Sequence, residues 1–199
     1  MMIQSEQNIE QLISRDQWMM DILQTVQQLK LPDWWICAGF IRNKIWDTLH
    51  GKTVSSPLGD VDVVYFDRVH TEKEHELYYE EQLIQWKPNI PWSVKNQARM
   101  HKVNHDEPYH SSMDAIAKFP ETVTAAGATL DNRGNLVLSA PHGWDDLLNM
   151  IVRPTPIALE NAHVWKVYNR RKKVKNWSLT WEKVIYADIA SPFADQHNR

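Results

Sequence analysis

The sequence predicts an α+β fold of α/β-like character, in which a small mixed β-sheet is flanked by helices. Residues 5–100 alternate between helix-like and strand-like patterns three times. Hydrophobic residues make up 43% of the chain, against 6 glycines and 10 prolines, a composition that excludes a disordered or collagen-like protein. The length of 199 residues suits one domain. We therefore expect a single domain over 1–199, with a core over 1–105 and a C-terminal extension over 106–199.

The first half of the chain contains three predicted helix–strand units. Apolar residues recur at helical spacing from Ile9 to Val26, which predicts one amphipathic helix from Ser5 to Lys30. Thr71 and Glu74 have the spacing of a capping box, which places the start of a later helix. In the order of the chain, the other elements are a strand over 34–38, a helix over 40–50, a strand over 61–66, a helix over 71–85 and a strand over 92–97.

The C-terminal extension is predicted to contain a hairpin and helices. Apolar residues at 129–130 and 136–138 flank a turn-rich segment, a pattern typical of a β-hairpin. Short helices are expected over 112–118 and after Pro141. The histidine-rich segment 101–110 has the spacing of a helical zinc pair at His101 and His105, but its polar composition and Pro108 favour an exposed loop.

Charge and cysteine content exclude several classes of protein. With 22 basic and 25 acidic residues the net charge is -3, so the chain lacks the broad positive field of a non-specific nucleic-acid binder. Nucleic acid is not expected as a partner, although a local contact stays open. The single cysteine, Cys37, excludes an internal disulfide, and no secretory signal begins the chain, which predicts a cytoplasmic protein. No apolar run is long enough for a membrane helix.

Two acidic residues at the start of a predicted strand are the first candidates for chemistry. Asp60 and Asp62 lie two residues apart, so on a strand they project from one face at a separation of about 6.6 Å along the chain. Two adjacent carboxylates repel each other unless cations lie between them, and paired magnesium ions are the usual solution in phosphate chemistry. The alternative is a pair of solvated carboxylates at a strand end.

A glycine between a strand and a helix is the second candidate. Gly39 follows a predicted strand and precedes a helix, so the backbone N–H groups near Phe40 and Ile41 would face an anion that approaches closely. Arg42, in the first turn, would add a positive charge. The alternatives are an ordinary turn at Gly39 and a surface ion pair between Arg42 and Asp47.

These motifs resemble those of the nucleotidyltransferase superfamily that includes DNA polymerase beta. The segment Gly39-Phe40-Ile41-Arg42-Asn43, followed by Asp60-Val61-Asp62-Val63, is similar to the G-G-x-V-R-D…D-x-D pattern of the tRNA CCA-adding enzymes. Further motifs, between 92 and 177, resemble a bacterial family of small nucleotidyltransferase-like proteins. The resemblance implies a nucleotidyltransferase-type core that binds an NTP. It also implies that Asp60 and Asp62 are catalytic ligands of two Mg²⁺ ions, and that Gly39 and the following helix hold the triphosphate.

The sequence departs from the superfamily pattern at two places. Phe40 stands where the superfamily usually has Gly or Ser after its first glycine. The third carboxylate of the superfamily lies on the next core strand, where this chain has Lys95 and Asn96. We expect Asn96 to take a catalytic role as a metal ligand and Lys95 to bind phosphate. Arg99 is a further candidate for nucleotide binding, with a structural salt bridge as its alternative.

Three functions follow from these residues. The first is a magnesium-dependent nucleotidyltransferase that moves NMP from an NTP to an unknown acceptor. The second is a catalytically weak nucleotide-binding or regulatory module that lacks the third carboxylate. The third is an RNA-binding accessory protein that uses the basic run 170–175, which is more often a solvated helix face. Glu121 and Thr122 are candidates for an acceptor pocket, with the start of a helix as the alternative.

Overall fold

The computed structural model describes residues 3–193 as helices packed around two β-sheets. Short 3₁₀ segments occur at Thr122–Thr124 and Trp177–Leu179. The strands are β1 (Trp35–Cys37), β2 (Val61–Tyr65), β3 (Trp92–Asn96), β4 (Gly127–Leu130), β5 (Leu136–Ser139), β6 (Ile151–Val152) and β7 (Ile185–Tyr186). The helices are α1 (Glu6–Ser14), α2 (Gln17–Gln27), α3 (Gly39–Leu49), α4 (Lys73–Trp86), α5 (Gln97–Asn104), α6 (Ser112–Ala117), α7 (Asp145–Leu148), α8 (Pro156–Glu160) and α9 (Ala162–Lys175).

The main sheet has five strands in the order β3-β2-β1-β4-β5. Strand β1 is antiparallel to both β2 and β4, whereas β2 and β3 run parallel with α4 between them in the chain. This arrangement confirms the predicted small mixed sheet flanked by helices. Because β1 pairs with β4, the sheet joins strands from both sides of residue 105. A separate two-stranded sheet, β6-β7, lies in the extension.

The N-terminal helix is broken in two, so the prediction of one helix from Ser5 to Lys30 was wrong. Helix α1 ends at Ser14, and the Asp16 side chain accepts a hydrogen bond of 3.0 Å from the Met19 N–H at the start of α2. A side chain that caps a helix start competes with the continuous helix. Both helices bury apolar residues in the same core, among them Ile13 and Ile22, and so the apolar pattern continues across the break.

The segment after β3 also differs from its prediction. Residues 97–104 form α5, whose first turn is capped by the Asn96 side chain, instead of an exposed loop. His105 ends the helix with a φ of 55°. Among residues 3–193, no cluster of three or more His, Cys, Asp or Glu side chains could hold a metal ion. The zinc alternative for His101 and His105 therefore gains no support.

The hydrophobic core connects the main sheet to the C-terminal extension. Ile36 of β1, Val63 of β2 and Val94 of β3 are fully buried. Trp46 of α3 is also fully buried, and its ring makes edge contacts with Trp177 at 5.8 Å and Trp181 at 5.3 Å. These contacts hold the segment after α9 against α3. Within the described part of the chain, no helix is both long and apolar enough to cross a bilayer.

Candidate nucleotide-binding site

A cavity of about 420 Å³ lies where β1, α3 and β2 meet the end of α9. The segment 1–105 contributes the turn after β1 and the residues around the start of β2. The extension contributes α9 and the segment after it. The structure thus brings together four residues singled out from the sequence, and they lie beside two basic residues of α9. The six are Gly39, Arg42, Asp60, Asp62, Arg171 and Lys175.

The two aspartates face this cavity with different exposure. Asp60 is exposed immediately before β2, whereas Asp62 is partly buried and pairs with Cys37 across the β1–β2 ladder. Burial and, next, the charge of Asp60 raise the pKa of Asp62 to about 6, although Arg171, Lys175 and Lys95 oppose the shift. An ionised Asp62 at neutral pH therefore lies in an environment that a divalent cation would stabilise.

The start of α3 lines one side of the cavity. The N-cap residue Ala38 makes no side-chain capping hydrogen bond to the described residues, so the first N–H groups of α3 stay available to a ligand. The side chains of Phe40 and Ile41 are buried, so only the backbone N–H groups of these residues could contact a ligand in the cavity. A Cβ added to Gly39 would lie 3.4 Å from Leu58 Cδ2 and would narrow the cavity.

Arg42 is a buried cation at the wall of the cavity. Its side chain is 8% exposed, and its guanidinium carbon lies 4.3 Å from the ring centroid of Trp177. One terminal nitrogen donates to Asn43 Oδ1 at 2.8 Å, whereas Nε is buried without a hydrogen-bond partner among residues 3–193. Burial lowers the pKa of Arg42 to about 10, so the group stays charged at neutral pH. A buried charged donor with an unpaired N–H is suited to an anionic ligand.

Arg171 and Lys175 were not recognised as nucleotide-binding candidates from the sequence. They lie four residues apart on α9, so they share one face, and that face borders the cavity. Arg171 Nε donates to Glu121 Oε1 at 2.7 Å, and Glu121 is 1% exposed. In the sequence, the four-residue spacing of these two residues within the basic run was the signal that could have identified them. Glu121 thus positions Arg171 and also precedes the 3₁₀ segment at 122–124.

Lys95 lies on the same face of the sheet as Asp62. It pairs with Val64 in the β2–β3 ladder, and Val64 follows Asp62 by two residues. Its side chain borders a second cavity that also includes Asp62. Lys95 is therefore next to the site, on the side away from Gly39.

Asn96 is fully buried, and its side-chain amide is used in local hydrogen bonds. The nitrogen donates to the carbonyls of Asp67 at 2.7 Å and His70 at 2.8 Å. The oxygen accepts from the backbone N–H groups of Asp67 and Ala98. Asn96 borders neither of the two cavities that contain Asp62. Its contacts stabilise the turn after β2 and the start of α5, a structural role that differs from the predicted metal ligation.

Arg99 forms the salt bridge that was its alternative. Its Nε donates to Glu76 Oε1 at 2.7 Å, and its Nη2 donates to the other carboxylate oxygen. Glu76 is 1% exposed, so the pair is largely buried. The guanidinium borders neither cavity next to Asp62. Arg99 therefore links α5 to α4 and has a structural role.

The residues present fit magnesium that arrives with a nucleotide. Mg²⁺ is commonly bound by one or two protein carboxylates and completes its shell with phosphate oxygens and water. Asp60 and Asp62 supply two such carboxylates at the edge of a cavity large enough for phosphate groups.

The comparisons with known proteins identify the family of this chain. The sequence profile described as Nucleotidyltransferase matches residues 24–185. The chain belongs to the nucleotidyltransferase family. An NMR structure described as revealing a CCA-adding enzyme head domain is 36% identical, with a TM-score of 0.85 over 94% of this chain and 98% of that one. Transfer of a nucleoside monophosphate is therefore the general activity that the family supports.

More distant similarity extends to larger proteins. The CCA-adding enzyme of Bacillus stearothermophilus, solved in complex with CTP, is 16% identical, with a TM-score of 0.49 over 87% of this chain and 40% of that one. No curated protein matches this nucleotidyltransferase.

The position of the missing glycine differs from our expectation. If Arg42 and Asn43 are set against the R-D of G-G-x-V-R-D, Ala38 and Gly39 fall on its two glycines. Ala38 has a φ of 57°, in the left-handed region that favours glycine. The departure from the family pattern therefore lies at Ala38, before Gly39, and Phe40 falls on the variable position.

Proposed function

We propose that this nucleotidyltransferase is magnesium-dependent and moves NMP from an NTP to a hydroxyl or amine of an acceptor. One observation carries the proposal: Asp60 and Asp62 share a cavity with the start of α3 and with Arg42. Carboxylates that hold cations and N–H groups that hold phosphates are two recurring parts of phosphoryl-transfer sites. The structure described as a CCA-adding enzyme head domain supports the same class of reaction.

The acidic and the basic residues of the cavity would have different roles. Asp60 and Asp62 would hold the magnesium ions, which neutralise phosphate charge when bound. The N–H groups at Gly39, Phe40 and Ile41 would hold the phosphates, together with the cations of Arg42, Arg171 and Lys175.

Transfer would then proceed by in-line displacement. The acceptor oxygen or nitrogen forms a bond to the α-phosphorus, and the bond from that phosphorus to the oxygen bridging the β-phosphate breaks. Pyrophosphate leaves with the bonding electrons, and the acceptor proton passes to water.

The extension is part of this proposal. Arg171 and Lys175 belong to 106–199, whereas the aspartates belong to 1–105, so the cavity needs both segments. We propose that the two segments act as one domain. A cytoplasmic location, where NTP and Mg²⁺ are abundant, stays the prediction from the sequence.

A second function, nucleotide binding without efficient transfer, is favoured by the third strand. Lys95 lies on the same face of the sheet as Asp62, on the strand where the family resemblance implies a third carboxylate. The side chain of Asn96 is occupied by local hydrogen bonds. A site with two carboxylates would bind nucleotide and release pyrophosphate slowly or not at all.

The test combines each labelled NTP with Mg²⁺ and measures thermal stabilisation and pyrophosphate release. We expect stabilisation by at least one NTP that requires Mg²⁺ and is lost in Asp60→Asn and Asp62→Asn. Asp145→Asn, an exposed aspartate in α7, is the matched control and should retain stabilisation. Stabilisation without pyrophosphate release would indicate the binding module. Stabilisation that survives both site substitutions would overturn the proposed site.

A further inference from the structure

A second cavity, of about 280 Å³, adjoins the 420 Å³ cavity described above, which is called the nucleotide cavity from here on. The two cavities share Ala38, Asp62 and Arg171 as common walls. In-line displacement requires the attacking group and the departing pyrophosphate on opposite sides of the α-phosphorus. A cavity that meets the nucleotide cavity at a metal-binding carboxylate therefore has the position that an acceptor needs.

The lining of the second cavity combines an apolar wall with isolated charges. Val64, Met100, Phe119 and Val167 form its apolar wall. Lys118 lies 3.5 Å from the Asp106 carboxylate and 4.8 Å from the ring centroid of Tyr109, so its charge is already balanced. An acceptor with an apolar or ring body would contact the wall without displacing a charged group.

Of the two lysines that line this cavity, Lys95 has the weaker ion pair. Its Nζ donates to the Val94 carbonyl at 3.0 Å and lies 3.9 Å from the Glu80 carboxylate, a weak and long ion pair. Lys95 stands opposite Val64 on the neighbouring strand, so its backbone is about 8 Å from that of Asp62, from the usual strand spacings. An acceptor that reaches both residues carries its anionic group several bonds from its nucleophile.

The size and charge of the surroundings favour a small molecule over an RNA end. The cavity is just below the range of about 300–1,000 Å³ typical of small-ligand sites. An RNA would also need cations along its phosphates outside the cavity, yet the chain has a net charge of -3. Two members of its basic run, Arg171 and Lys175, already face the nucleotide cavity.

We propose that the second cavity binds the acceptor, a small alcohol that carries a phosphate or carboxylate group near Lys95 and places its hydroxyl beside Asp62. This inference rests on the proposed function, because an acceptor is needed only if NMP is transferred. The hydroxyl oxygen would form the new bond to the α-phosphorus as pyrophosphate leaves, and its proton would pass to water.

The test follows methyl NMR signals of ¹³C-labelled valine and methionine in the full chain. The probes are glycerol 3-phosphate and other phosphorylated alcohols, hydroxycarboxylates, neutral glycerol, and an RNA oligonucleotide with a free 3′-hydroxyl. We expect a phosphorylated or carboxylated alcohol to shift Val64, Met100 and Val167, and glycerol to leave them unchanged. Lys95→Met should weaken that binding by about tenfold, the loss of one charge-assisted contact.

A matched pair of variants separates this inference from the proposed function. Val167→Trp should fill the cavity and abolish the shifts, while Lys166→Trp, on the exposed side of α9, should retain them. Shifts caused only by RNA, shifts caused by no probe, or shifts that survive Val167→Trp would overturn the inference. In each case, Mg²⁺-dependent NTP binding by the wild-type protein would still support the nucleotide site. A wild-type protein that does not bind NTP in the presence of Mg²⁺ would contradict the proposed function itself.

Discussion

Arg171 and Glu121 form a hydrogen-bonded ion pair of 2.7 Å between α9 and the segment that follows α6. Glu121 is almost fully buried, and Arg171 borders both cavities that contain Asp62. The pair therefore fixes a cation of the extension beside the aspartates of the core. A guanidinium held in place loses less conformational entropy when it binds phosphate than a mobile surface side chain does.

Replacing Arg171 by alanine should weaken NTP binding by about tenfold or more, because a charge-assisted contact to phosphate is lost. The measurement is titration of a fluorescent ATP analogue in Mg²⁺. Lys173→Ala, in the same basic run but exposed and outside the nucleotide cavity, is the control and should change affinity by less than about twofold. Equal effects of the two substitutions would show that the run acts only as a general positive surface.

Replacing Asn96 by alanine should lower the free energy of unfolding by about 2–4 kcal/mol, because part-buried backbone groups in the turn after β2 and at the start of α5 lose their partners. Urea unfolding measures this change. Nucleotide affinity of the folded variant should be unchanged at low temperature. A stable Asn96→Ala protein that loses only Mg²⁺-dependent nucleotide binding would restore Asn96 as a metal ligand.

Replacing Ala38 by glycine should stabilise the protein by about 1 kcal/mol, because the left-handed backbone at this position strains a residue with a Cβ. Thermal and urea unfolding would both report the gain. Ala115→Gly, inside the regular helix α6, is the control and should have the opposite sign. A loss of stability in Ala38→Gly would mean that the alanine is not strained.

Asp62 should destabilise the metal-free protein at neutral pH. Its folded-state pKa of about 6 exceeds the ordinary value of 3.8, so its favourable contribution is present below about pH 4 and is lost as the pH rises through 6. Asp62→Asn should therefore exceed the wild type in stability by on the order of 2 kcal/mol near pH 8 and match it near pH 4. Urea unfolding in EDTA at the two pH values measures this difference. A less stable Asp62→Asn protein at pH 8 would contradict the burial of an ionised carboxylate.

Local patterns in the sequence were sufficient to predict the centre of the candidate site. Gly39 and the aspartates lie in short motifs whose geometry depends on a few neighbouring residues, and the structure places them in one cavity. The break at Asp16 was missed because the apolar periodicity is the same on both sides of it. The capping side chain that causes the break is visible in the sequence, but its competition with a continuous helix is not.

The sequence by itself determined the order of helices and strands, the strand–glycine–helix turn and the pair of carboxylates, since all of these follow from spacing along the chain. Only the tertiary structure decided that α9 supplies Arg171 to the aspartates and that Asn96 supports a turn. Those roles depend on which distant segments the core holds together, and the burial of Trp46 against Trp177 and Trp181 brings the end of α9 to α3. Contacts between segments far apart in the chain leave no fixed spacing for a sequence pattern to show.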